Sequence, residues 1–108
     1  MKFDIITIFP KIFDSYFNEG LIKRAQNKKL AEIKIHNLRD WTYNRHKTVD
    51  DRPFGGGFGM VMKVEPIFRA VADLKKSRKI KRKVILFTPR GKNLPRKWLI
   101  NFQGWTKL

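Results

Sequence analysis

The order of three short apolar runs constrains this chain most, because few arrangements bury all of them at once. Phe3–Phe9 is apolar and β-branched and is closed by Pro10, which suits a buried strand better than a helix of that length. Ala31–Leu38 alternates apolar with polar side chains, the period of a strand with one face covered. Between them, Ile12, Phe13, Tyr16 and Phe17, then Leu21, Ile22 and Ala25, recur at helical spacing from Lys11 to Lys29, and Gly20 predicts a break into two helices. Glu65-Pro66 followed by Ile67, Phe68, Val71, Ala72 and Leu74 predicts a further helix with proline in its first turn. Val84–Phe87 predicts a third strand, stopped by Thr88-Pro89-Arg90-Gly91. Strands alternating with helices predict an α/β domain: a mostly parallel, Rossmann-like sheet with flanking helices. With 108 residues, one such domain is the expectation.

Charge narrows the partner. Lys and Arg number 25 against 9 Asp and Glu, a formal charge of +16, so a polyanion is the expected ligand and a charged solubility surface the alternative. Nucleic acid is favoured over a membrane surface, since no basic amphipathic helix lies beside a long apolar one. Seven of the nine residues from Lys75 to Lys83 are basic, fitting either a phosphate-tracking segment or a solvated helix end. Cysteine is absent, which excludes disulfides and thiolate metal sites. Asp4 interrupts the opening apolar run and no small-residue cleavage site follows, so a cytoplasmic protein without a membrane span is expected.

Arg39 to Gly59 shows no period and predicts a long functional loop. It contains His46-Lys47-Thr48-Val49-Asp50-Asp51-Arg52-Pro53-Phe54-Gly55-Gly56-Gly57-Phe58-Gly59, followed by Met60. Glycines in such a run permit positive φ and close approach of backbone to a ligand, and the flanking Asp and Arg are able to bond bases or phosphates. As a bare pattern it matches neither a dinucleotide fingerprint nor a P-loop.

As a whole, His46 to Met60 closely resembles the loop of the bacterial tRNA (guanine-37 N1)-methyltransferases, H-K-x-V-D-D-x-P-Y-G-G-G-x-G-M, with Phe54 in place of Tyr. The resemblance begins at Phe9-Pro10 and runs through Asn37-Leu38-Arg39-Asp40 and Val64-Glu65-Pro66 to Pro89-Arg90-Gly91. It implies the SPOUT trefoil-knot class of α/β fold, here an incomplete knot domain, acting as a homodimer on tRNA. The implied reaction moves a methyl group from S-adenosylmethionine to N1 of a guanine beside the anticodon. Carried over for RNA contact are Asp50, Arg52 and Gly59, with His46 and Lys47 as further candidates; for Asp50 and Asp51 the alternative is turn and cap chemistry. Leu86, Phe87, Thr88, Pro89 and Gly91 match the strand end that walls the family's methyl-donor pocket, with Thr88 where Ser is common. No metal ligand and no catalytic residue is carried over, because the family's general-base Asp and its partner Arg align beyond this chain.

The family pattern covers residues 1–92. Residues 93–108, a tail rich in Trp98, Leu99, Ile100, Phe102 and Trp105, do not follow it; an exposed or loosely docked apolar tail is expected, with a C-terminal helix that covers the sheet as the alternative. Loss of one A from codons for a family-like G-K-K-L-T-Q-K-M-A yields G-K-N-L-P-R-K-W-L, the order found from Gly91 to Leu99, so a frameshift near Lys92 is expected.

Overall fold

The computed structural model describes residues 1–51, 61–76 and 82–97. Strand β1, Lys2–Thr7, runs parallel to β2, Glu32–Asn37, in a register that sets Phe3 beside Ile33, Ile5 beside Ile35 and Ile6 beside His36. A parallel pair needs a crossover, and the expected helical segment supplies it. A 3₁₀ turn, Pro10–Phe13, leads into helix α1, Asp14–Phe17, and then α2, Gly20–Asn27. Gly20 breaks the two helices as predicted: its φ of +67° is the left-handed conformation that glycine adopts without a Cβ penalty. The Gln26 side chain donates to the Phe17 carbonyl at 2.8 Å, satisfying a group that α1 leaves unpaired at its end. Helix α2 stops in a Schellman arrangement, with Lys29 N–H bonded to Gln26 O and Leu30 N–H to Ala25 O; Lys29 itself sits at φ +59°.

After β2, the Asn37 side chain accepts the Arg39 N–H at 3.0 Å and starts a 3₁₀ turn, Leu38–Trp41. Two residues of β3, Asp50–Asp51, pair antiparallel with β4, Val61–Met62, and helix α3 spans Val64–Leu74. The core among the described residues is a small node where Leu38, Val49 and Ala70 are buried, with Ile6, Ile8 and Trp41 packed against it. Pro66, in the first turn of α3 where its missing N–H costs nothing, is buried as well.

Two expectations are corrected. The stretch from Arg39 is not an unstructured loop throughout: it contains the Leu38–Trp41 turn, a hydrogen-bonded turn at 44–48 and β3. The third strand does not form. Residues 82–88 take no regular structure, and Val84, Ile85, Leu86 and Phe87 are all exposed. A parallel strand is stable when neighbours satisfy its backbone on both sides and layers cover both faces, and none of the described residues does this for Val84–Phe87.

The segment is still anchored at its start. Arg82 donates to Asp4 Oδ2 at 3.4 Å and to the Leu74 carbonyl, while Asp4 Oδ1 lies 2.9 Å from His36 Nε2. Asp4 thereby joins both strands and the chain beyond α3.

Candidate nucleic-acid interface

The loop from Thr42 to Val49 is held at both ends by the node. At one end Trp41 packs on the core, its indole N–H donates to Asp73 Oδ2 at 3.1 Å on α3, and its ring lies 5.9 Å from that of His36. At the other end Val49 is buried and its carbonyl accepts the Lys63 N–H at 2.6 Å, extending the β3–β4 pairing by one step.

Between these anchors the loop is tied to itself. Asn44 Oδ1 accepts the Thr48 N–H at 3.0 Å, the Asn44 amide bonds Thr48 Oγ1, and Lys47 N–H bonds the Asn44 carbonyl. The Arg39 guanidinium donates to the Lys47 carbonyl at 3.0 Å, and Thr42 Oγ1 donates to the Arg39 carbonyl. Lys47 adopts φ +50°, left-handed for a residue with a Cβ, and this closed turn is what holds it there. Arg45, His46 and Lys47 are consequently exposed at the tip. Three cationic or ionisable side chains on a rigid turn, in a chain of +16, form a surface suited to phosphate.

Of the predicted RNA contacts, His46 and Lys47 sit on this tip, and Asp50 follows on β3, partly buried and opposite Met62. Arg52 and Gly59, with the rest of the glycine-rich stretch, lie outside the described residues. So do residues 77–81 of the basic run and residues 98–108 of the tail.

The predicted donor wall is a separate feature. Gly91 N–H bonds the Thr88 carbonyl at 3.0 Å, closing a turn with Pro89 at the position that favours its fixed φ. A Cβ at Gly91 would stand 3.1 Å from the Thr88 oxygen and 3.3 Å from its methyl group, so a larger residue would need the Thr88 groups to yield slightly. Leu86 and Phe87 precede it with 81% and 80% of their surface exposed. Among the described residues this is one apolar wall beside a tight turn, with no second wall opposite it.

One group stands out that the sequence reading passed over. The Arg69 guanidinium carbon lies 4.1 Å from the centre of the Tyr43 ring, and its Nη1 donates to the Trp41 carbonyl at 3.2 Å. The signal available in the sequence was an aromatic pair, Trp41 and Tyr43, interleaved with Arg39 and Arg45; the arginine that completes it comes from α3, far along the chain. Asp73, which anchors Trp41, also pairs with Lys76 at 3.2 Å. The Trp41 hydrogen bond first, and then Lys76, hold its carboxyl below the ordinary value of 3.8. Among the described residues no group of three or more His, Cys, Asp or Glu is arranged to hold a metal, and no helix is long and apolar enough to cross a membrane.

Comparison with known proteins agrees with the motif. The family model described as tRNA (Guanine-1)-methyltransferase TrmD matches residues 1–107. A tRNA (guanine-N(1)-)-methyltransferase of Dictyoglomus turgidum is 54% identical over 91 residues, 84% of this chain and 36% of the relative. That of Geobacter sulfurreducens is 44% identical over 108 residues, all of this chain and 44% of the relative. The crystal structure of the tRNA (m1G37) methyltransferase from Aquifex aeolicus superposes with a TM-score of 0.82 at 34% identity, over 94% of this chain and 45% of that one. The chain thus spans less than half the length of these relatives, and over that span the α/β architecture with its parallel sheet is shared. On the profile match and these identities together, the chain belongs to the tRNA (guanine-1)-methyltransferase family.

Proposed function

We propose that the chain serves methylation of tRNA at N1 of the guanine beside the anticodon, with S-adenosylmethionine as donor. The observation that carries this is the start of the family loop motif, residues 46–51, on a braced, cationic turn: His46 and Lys47 are exposed at the tip and Asp50 follows on β3, paired with β4. In this reading His46, Lys47, Asp50, Arg52 and Gly59 contact the RNA. Cationic side chains would neutralise phosphates, and Asp50 would accept from a base edge. The donor supplies an electrophilic methyl group. Leu86 and Phe87 would offer it an apolar surface, and the Thr88–Gly91 turn, with Pro89, would hold it close to the backbone. The groups present fit one side of such a ligand.

The 108 residues carry no general base transferred from the family, so by themselves they bind tRNA and do not turn it over. In the complete enzyme the family's homodimer, working in the cytoplasm, would supply the remaining groups. The second reading, a small RNA-binding module without catalysis, is favoured by the charge of +16. Incubating the purified chain with labelled donor and unmodified tRNA bearing guanine at that position separates the readings. Methyl incorporation overturns inactivity of the chain. Salt-dependent binding that weakens in Asp50→Ala and Arg52→Ala, without incorporation, supports tRNA recognition at the loop; binding with no preference for this tRNA favours the general module. The family model and the Geobacter sulfurreducens relative both extend into residues 93–107, where the quoted motif has ended; for this tail a frameshift is our proposal, which an undisturbed reading frame in the gene, with no family-like sequence in a neighbouring frame, removes.

A further inference from the structure

The geometry points to Tyr43, backed by Arg69, as a stacking platform for an unpaired RNA base. This deepens the tRNA reading by adding a contact outside the family motif. Tyr43 has 84% of its surface exposed, yet it is not loose. The Arg69 guanidinium lies 4.1 Å from its ring centre and is itself fixed by the Trp41 carbonyl. Trp41 is in turn fixed by the core and by Asp73. A large, rigid aromatic face held in solvent by a cation on the main-chain scaffold is the device that single-strand binders use, since every base has a π-face to lay against it. Duplex RNA keeps its base faces stacked on one another and does not offer them.

The surroundings favour the same ligand. Arg45, His46 and Lys47 lie two to four residues further along the same closed turn and are exposed, placing positive charge where the phosphates of a stacked nucleotide would run. Of the nearby acidic groups, Asp73 is engaged by Trp41 and Lys76, while Asp40 is exposed and sits one residue before Trp41. The platform and the tip therefore read base and backbone of one single-stranded segment.

The test uses the purified 108-residue chain and two RNAs carrying 2-aminopurine, whose fluorescence falls on stacking: a tRNA anticodon-arm hairpin with the probe in its loop, and an unstacked oligouridylate. Wild type is expected to quench both. Tyr43→Leu, similar in bulk but without a ring, should weaken binding about ten-fold or more and abolish quenching, while Tyr43→Phe retains both. The salt dependence of the residual binding should be unchanged in Tyr43→Leu and reduced by about one ion in Lys47→Ala. Because Tyr43 is exposed, the leucine variant should melt as wild type does. Hairpin binding that is equal in wild type and Tyr43→Leu overturns the platform and leaves the tRNA reading standing. Tyr43-dependent quenching of the oligouridylate with no binding of the hairpin supports the platform and removes the tRNA reading. Absence of quenching with either RNA overturns the platform.

Discussion

Leu38 and Phe87 are both large apolar residues at the end of a short apolar run, and they finish at opposite extremes. Leu38 is 1% exposed, at the centre of the node with Val49 and Ala70, whereas Phe87 is 80% exposed on a stretch without regular structure. The difference lies in what surrounds each. Leu38 follows a strand that has a parallel partner, and α3 and the Thr42–Val49 loop close over it. Val84–Phe87 has the composition of a strand but, among the described residues, neither a neighbour in the sheet nor a covering layer. A hydrophobic run states a demand for burial; only the rest of the molecule meets it.

The largest expected effect tests the first half of that comparison. Leu38→Ala should cost about 2–5 kcal/mol, a large share of what a domain with so small a core possesses, and urea unfolding of the variant should lose its cooperative transition. Phe87→Ala, by contrast, should lie within about 0.5 kcal/mol of wild type. Equal losses at the two positions would break the comparison. Next in size, Asp4→Ala leaves His36 and Arg82 without their shared partner and should cost about 1–3 kcal/mol, with faster amide hydrogen exchange across residues 82–88. Unchanged exchange there would show that Arg82 is held by Leu74 alone.

How far the sequence spoke divides along the same line. The β1–α1–α2–β2 unit was legible because its signals are local: a period of two in Glu32–Asn37, helical spacing on either side of Gly20, and Pro10 at the end of the first run. The family motif singled out His46, Lys47 and Asp50, and the structure sets the first two on the exposed tip and the third on β3. Three things were not legible. The exposure of Leu86 and Phe87 depends on what packs beside them, and among the described residues nothing covers them, which no window of sequence reports. The turn bonded between Asn44 and Thr48 uses side-chain hydrogen bonds that leave no periodic trace. The Arg69–Tyr43 contact joins residues from different elements, so only the packing of α3 on the Leu38–Trp41 turn creates it.

Two smaller effects sharpen the picture of the ordered half. Lys29→Gly relieves a left-handed residue at the end of α2 and should raise stability by about 0.5–1 kcal/mol, read as a higher urea midpoint with an unchanged slope. The smallest concerns Asp73. Its folded pKa is lowered, so its contribution is fully present above 3.8 and is lost as pH falls through the folded value. A slight drop in Tm below that pH should therefore be seen in wild type and be missing in Asp73→Asn.

Asp4 also has a consequence for the order in which the molecule assembles. Its bond to His36 closes 32 residues and its bond to Arg82 closes 78, and longer closures carry more entropy and form later. During vectorial synthesis this carboxylate is made before either partner, binds its histidine once β2 has been made, and waits for the arginine until the chain beyond α3 follows. It precedes both of its partners along the chain and is completed only by the more distant one.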